Sequence, residues 1–119
     1  MMKLDHLNLP VSDLERSRAW YTGTLGLAVE FEVPDRRTVA LQDKEGFAIF
    51  LTESPQAASN GLALWFQVEN VDATFEEWTG RGVQFAHGRR KTYWGYGAEL
   101  ADPDGYLVRL WDVRTMQAK

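Results

Sequence analysis

The chain has 119 residues, 45% hydrophobic and 25% charged, values that fit one globular domain and exclude a disordered or fibrous chain. Lys plus Arg is 13 and Asp plus Glu is 17, a net charge of -4, so there is no basic footprint for nucleic acid or an anionic membrane. There is no cysteine, which excludes disulfides, thiolate nucleophiles and Cys-ligated zinc, and no apolar run nears the ~20 residues that cross a bilayer.

Met1-Met2-Lys3-Leu4-Asp5-His6 has no apolar signal region, so the expected location is the cytoplasm. Alternation over Leu4-Asp5-His6-Leu7-Asn8-Leu9 predicts a first strand, ended by Pro10, which supplies no ladder N–H. Ser12 and Glu15 form a Ser-x-x-Glu capping box that opens a helix. Leu14, Tyr21 and Leu25 recur at helical spacing, and Gly26 is the expected stop. Three strands follow, about Ala28–Val33, Arg37–Gln42 and Phe47–Thr52, with turns at Pro34-Asp35 and Lys44-Glu45-Gly46.

The small, polar stretch Ser54–Gly61 is expected to link two halves, about 1–53 and 62–114. Leu62–Val68 is another strand. Asn70 caps a second helix, with Val71, Phe75 and Trp78 on one face and Gly80 and Gly82 at its end. Strands around Val83–Ala86, Gly95–Ala101 and Tyr106–Val113 complete the chain, the last two joined by the turn Asp102-Pro103-Asp104-Gly105. Each half therefore has the order strand, helix, strand, strand, strand. An offset of 57 residues places Val11 on Val68, Leu14 on Val71 and Tyr21 on Trp78; an offset of 59 places Gly46 on Gly105. The pattern predicts an internal duplication of a βαβββ unit, an α+β fold.

The run Leu4–Glu15, with Trp20-Tyr21 and Leu25-Gly26-Leu27, resembles the opening of vicinal oxygen chelate proteins, the relatives of glyoxalases, bleomycin-resistance proteins and extradiol dioxygenases. Asp102–Leu110 resembles their closing hairpin. The resemblance covers nearly the whole chain and implies two βαβββ modules whose sheets curl into a cup, usually in a dimer. In the enzymes it implies a divalent metal held by four ligands from the first and last strand of each module. Transferred onto this chain, those positions fall on His6, Phe50, Ala63 and Arg109. Three of the four cannot ligate a cation, and a permanent guanidinium repels one. A rebuilt site from His6, His87 and Glu99 has no recognisable spacing. The expectation is no metal and no cofactor.

If those four positions face the cup, period-two alternation sends Leu7, Leu9, Ile49, Leu51, Leu64, Phe66, Val108 and Leu110 to the helix-covered side. The cup side receives His6, Asn8, Phe50, Thr52, Trp65, Gln67, Arg109 and Trp111, among others. Aromatic surface with a few polar groups suits a small-molecule pocket. His6 reads either as an inherited ligand now hydrogen-bonded or as a donor or base, with no acid placed by sequence to orient it. Arg109 reads either as the partner of a carboxylate such as Glu99 or Glu53, or as a receptor for an anionic group. Trp65 and Trp111 read either as packing groups at a dimer seam or as stacking platforms. Arg89–Gly97, with Tyr93 and Trp94, reads as a lid or ligand wall. Trp20, Tyr21 and Trp78 are assigned to packing. No phosphate loop, nucleophile elbow or catalytic carboxylate pair is present. The expected function is small-molecule binding by a homodimer, through His6, Phe50, Trp65, Tyr93, Trp94, Arg109 and Trp111. The alternatives are an enzyme using a metal or His6, and an interaction module whose cup its own side chains fill.

Overall fold

The computed structural model describes residues 2–57, 61–92 and 95–116. The chain divides into two compact units, Met1–Ala58 and Ser59–Lys119. Unit 1 contains strand β1 (His6–Val11), helix α1 (Leu14–Gly23), and strands β2 (Ala28–Val33), β3 (Thr38–Gln42) and β4 (Ala48–Glu53), with a short 3-10 turn at Pro34–Arg36. Unit 2 contains β5 (Ala63–Gln67), helix α2 (Val71–Gly80), β6 (His87–Thr92), β7 (Gly95–Ala101), β8 (Leu107–Trp111) and the short helix α3 (Val113–Met116). The sheet orders are β1-β4-β3-β2 and β5-β8-β7-β6, each with one parallel pair at β1–β4 or β5–β8.

The duplication is present in the backbone. Both long helices have 10 residues and start 57 positions apart, after the caps Asp13 and Asn70. The strand registers repeat as well: Asn8 lies opposite Phe50 in unit 1, and Trp65 opposite Arg109 in unit 2. Even the tie between helix and sheet is duplicated. The Leu14 N–H donates to Glu53 Oε2 at 2.9 Å, and the Val71 N–H donates to Asp112 Oδ2 at 2.7 Å. A carboxylate at the end of the last strand, Glu53, or just after it, Asp112, thus satisfies the first, otherwise orphaned, donor of each helix.

Alternation sets the two faces of each sheet. Leu9, Ile49, Leu51, Leu64, Val108 and Leu110 are buried on the helix-covered side, and Leu7 and Phe66 are half-buried there. Val39, Leu41 and the fully buried Tyr21 of α1 complete the core of unit 1; Val71, Ala98, Leu100 and Tyr106 join that of unit 2. Burying one such leucine or valine is worth about 1.5–3 kcal/mol, so these rows fix the register, since a one-residue slip would expose them all. Trp20 packs edge-on against Tyr21, and Trp78 stacks near Phe85.

Several local expectations are corrected. Pro10 does not end β1, which continues through Pro10 and Val11 opposite Thr52 and Glu53. The strand lies at a sheet edge, where a missing N–H is tolerated. The capping box does not form: Asp13 is the cap and accepts the Arg16 N–H, while Glu15 turns to Arg37. Helix α1 ends at Gly23, and Gly26 supplies a positive φ of 80° just after it, where the Leu27 N–H returns to Tyr21 O. The sixth strand begins at His87, not Val83, because Phe85 packs against Phe75 beneath α2 instead of joining the sheet. The last strand ends at Trp111, and Val113 opens α3, for which Asp112 accepts the Thr115 N–H. Arg89-Arg90-Lys91 and Gly95–Gly97 belong to β6 and β7 and do not form a loop; Tyr93 and Trp94 lie outside the described residues.

Candidate functional site

On the sheet face away from the helix, unit 1 carries an aromatic cluster. The rings of His6 and Phe50 stack with centroids 3.9 Å apart and planes 16° from parallel. Phe31, opposite Ala40 on the edge strand, meets Phe50 edge-on at 5.5 Å. Beside them is a polar strip in which Asn8 Nδ2 donates to Thr52 Oγ1 at 3.2 Å and Thr52 and Thr38 share a hydrogen bond of 3.0 Å. Asp5 Oδ2 lies 2.9 Å from His6 Nδ1. Sequence spacing places no acid beside His6, yet its immediate neighbour makes this contact. Asp5 stands just before β1 begins, where strand alternation places no residue beside the His6 ring.

Unit 2 presents a row across all four strands. Trp65 lies opposite Arg109, Arg109 opposite Glu99, and Glu99 opposite His87. Arg109 Nε donates to Glu99 Oε2 at 2.7 Å, and the guanidinium carbon sits 5.4 Å from the centroid of the Trp65 ring. The Arg109 and Glu99 side chains are 14% and 15% exposed, whereas Trp65 keeps 44% of its surface. The indole is therefore an accessible platform with a paired cation against it. Trp111 lies opposite Gln67 one step along the same face, half-buried. His87 Nδ1 is 2.7 Å from Gly88 O. Of the two partners considered for Arg109, the structure selects Glu99.

Glu53, the other, is occupied elsewhere. It accepts from Arg37 Nη2 at 2.9 Å and from the Leu14 N–H, and Arg37 Nη2 also reaches Glu15 at 3.0 Å. Hydrogen bonding to Arg37 holds both carboxyls below the usual carboxylate range, and the same contacts push Arg37 up. Asp13, Glu15 and Glu53 bring ligand atoms within 4.8 Å of one another. The Arg37 cation is bound directly to Glu15 and Glu53, so this is a helix-anchoring ion network.

At the four positions to which the resemblance assigns metal ligands, the residues present do not fit a divalent ion. His6 contributes one imidazole, stacked on the Phe50 ring that occupies the second position; Ala63 has no donor; Arg109 brings a positive charge. Glu99, a conceivable replacement ligand, is committed to Arg109.

The model of the Glyoxalase/Bleomycin resistance protein/Dioxygenase superfamily matches residues 3–110, and the chain belongs to that superfamily. It is 27% identical over 127 aligned positions to the uncharacterized protein YraH of Bacillus subtilis (strain 168), covering 94% of this chain and 99% of that protein. Among solved structures, it is similar to TnmS3, an antibiotic binding protein from Streptomyces sp. CB03234. That match has a TM-score of 0.79 and 26% identity, over 94% of this chain and 96% of the other. A glyoxalase/dioxygenase from Nostoc punctiforme shares the fold with a TM-score of 0.74 and 20% identity, over 92% and 90% of the two chains. The α+β architecture, with its two four-stranded mixed sheets, is that of this superfamily. No described helix is long and apolar enough to cross a membrane.

Proposed function

We propose that this protein binds a small organic molecule on the aromatic open faces of its sheets without a metal ion, acts as a homodimer, and holds the molecule without transforming it. The observation that carries this reading is the Arg109 guanidinium, bound to Glu99 against Trp65. A cation at a position where metal-dependent relatives need a ligand argues for recognition of organic surface in place of Lewis-acid chemistry. The Phe31–Phe50–His6 cluster of unit 1 supports it with further ring surface. The antibiotic binding named for TnmS3 supports it by similarity. Stacking on an accessible ring contributes about 0.5–2 kcal/mol per good contact, enough for selectivity among flat ligands.

The test is quenching of tryptophan emission by a panel of flat aromatic compounds of different charge, with each bound compound recovered and weighed by mass spectrometry. Saturable quenching with the compound recovered intact supports the reading; no quenching by any member overturns it. One observation favours a second reading, in which His6 moves a proton. Asp5 holds its Nδ1 at 2.9 Å, the arrangement that orients an imidazole base. Recovery of a chemically altered compound, lost in His6→Gln, selects this second reading.

A further inference from the structure

We infer that Glu99 sets the charge preference of the Trp65 platform, so that the site selects an uncharged planar aromatic ligand over an anionic one of the same shape. This rests on the binding function proposed above. An arginine beside an exposed indole would by itself draw carboxylates, phosphates or sulfonates, because a guanidinium offers its donors in a fork matched to such groups. Here the guanidinium is not alone. Glu99 Oε2 sits 2.7 Å from its Nε, and both side chains are mostly shielded from water. Screening by salt is weak for such a pair.

An anion stacked on Trp65 would meet the Arg109 charge on the adjacent strand and the opposing Glu99 charge one strand farther, so Glu99 cuts down the attraction that a lone guanidinium would exert. What attraction remains offsets the anion's loss of hydration only in part. A neutral ring loses nothing in this exchange and keeps its stacking on the indole. The arrangement is built by the sheet, since Trp65, Arg109 and Glu99 stand opposite one another on the adjacent strands β5, β8 and β7. His87 is the next residue in the row, opposite Glu99.

The test uses two probes with the same aromatic framework, N-phenyl-1-naphthylamine, which is neutral, and 1-anilinonaphthalene-8-sulfonate, which is anionic. Affinities for the full chain are measured by fluorescence titration, with folding checked by circular dichroism. The wild type is expected to bind the neutral probe at least about tenfold more tightly. Glu99→Gln should shift the ratio of affinities toward the anionic probe by about tenfold or more, and Arg109→Gln should shift it the opposite way. The double variant Glu99→Gln/Arg109→Gln, neutral again, should return the ratio toward wild type. Equal binding of both probes by the wild type, or ratios within about twofold of wild type in both single variants, overturns the inference while leaving the binding function standing. No binding of either probe, or binding unaffected by Trp65→Ala, removes the platform itself and the inference with it.

Discussion

Asp112 joins the sheet of unit 2 to both of its helices, and its removal has a calculable cost. The side chain is fully buried. It accepts the Val71 N–H at 2.7 Å, the Thr115 N–H at 2.8 Å and the Thr115 hydroxyl. Asp112→Ala deletes all three bonds. The Thr115 groups are only partly buried and recover some hydration. The Val71 N–H is buried at the start of α2 and is left orphaned, at about 1–3 kcal/mol. Losing the cap of α3 adds about 1 kcal/mol, and losing a carboxylate at the N-terminus of α2 adds about 0.3–1 kcal/mol. The expected total is about 3 kcal/mol, a fall in thermal midpoint of roughly 10 °C for a domain of this size. Asp112→Asn keeps one acceptor oxygen but turns an NH2 toward one of the donors, and should cost about half as much.

Urea denaturation followed by circular dichroism measures both variants. Burial pushes the Asp112 carboxyl up, but hydrogen bonds from Thr115 and Val71 and the nearby Arg114 outweigh it and hold the group below its usual value. A depressed folded-state value means that the stabilisation is complete above the ordinary carboxyl range and is lost as pH falls through the folded value. The gap between wild type and Asp112→Asn should therefore stay constant near neutrality and close below about pH 4. A cost for Asp112→Ala under about 1 kcal/mol, or a gap that widens in acid, would refute the assignment.

The remaining predictions concern both units. Glu15 and Glu53 are also depressed, through Arg37, so their contribution is likewise lost in acid; Glu53→Gln should flatten the acid limb of the midpoint-against-pH curve. Gly88→Ala should destabilise by about 1–3 kcal/mol. Its Cβ would meet Phe75 Cζ at 3.0 Å, and the Phe75 ring is held between Phe85 and Arg89. Urea titration of that variant gives the value directly. Trp65→Ala should weaken binding of a flat aromatic probe by about threefold to thirtyfold, with the denaturation midpoint little changed because the ring is substantially exposed.

Much of the fold was legible because its signals are periodic. The assignment of alternate residues to opposite faces follows from a period of two, the duplication from a 57-residue offset, and the Asn70 cap and the bounds of β2 at Ala28–Val33 from local residue chemistry. What failed was non-local or aperiodic. Glu15 leaves its local capping box for Arg37, 22 residues away, and nothing within one helical turn reports that choice. Strand β6, His-Gly-Arg-Arg-Lys-Thr, has no apolar alternation because it is an edge strand, so the apolar run before it drew the strand too early. Of the candidate site, strand parity places Arg109 on the open face, while its partner stays open between Glu99 and Glu53 until the register sets Glu99 opposite it. The stack of His6 on Phe50 and the Asp5 contact depend on side-chain rotamers and were not legible.

The most direct measurement is calorimetric titration of an aromatic ligand identified by tryptophan quenching, on protein before and after exhaustive chelation, with divalent metal content measured on the same samples. Metal-free binding predicts well under one equivalent of metal per chain and the same affinity on both samples. Near-stoichiometric metal, with affinity lost on chelation and restored by adding the ion back, would contradict it.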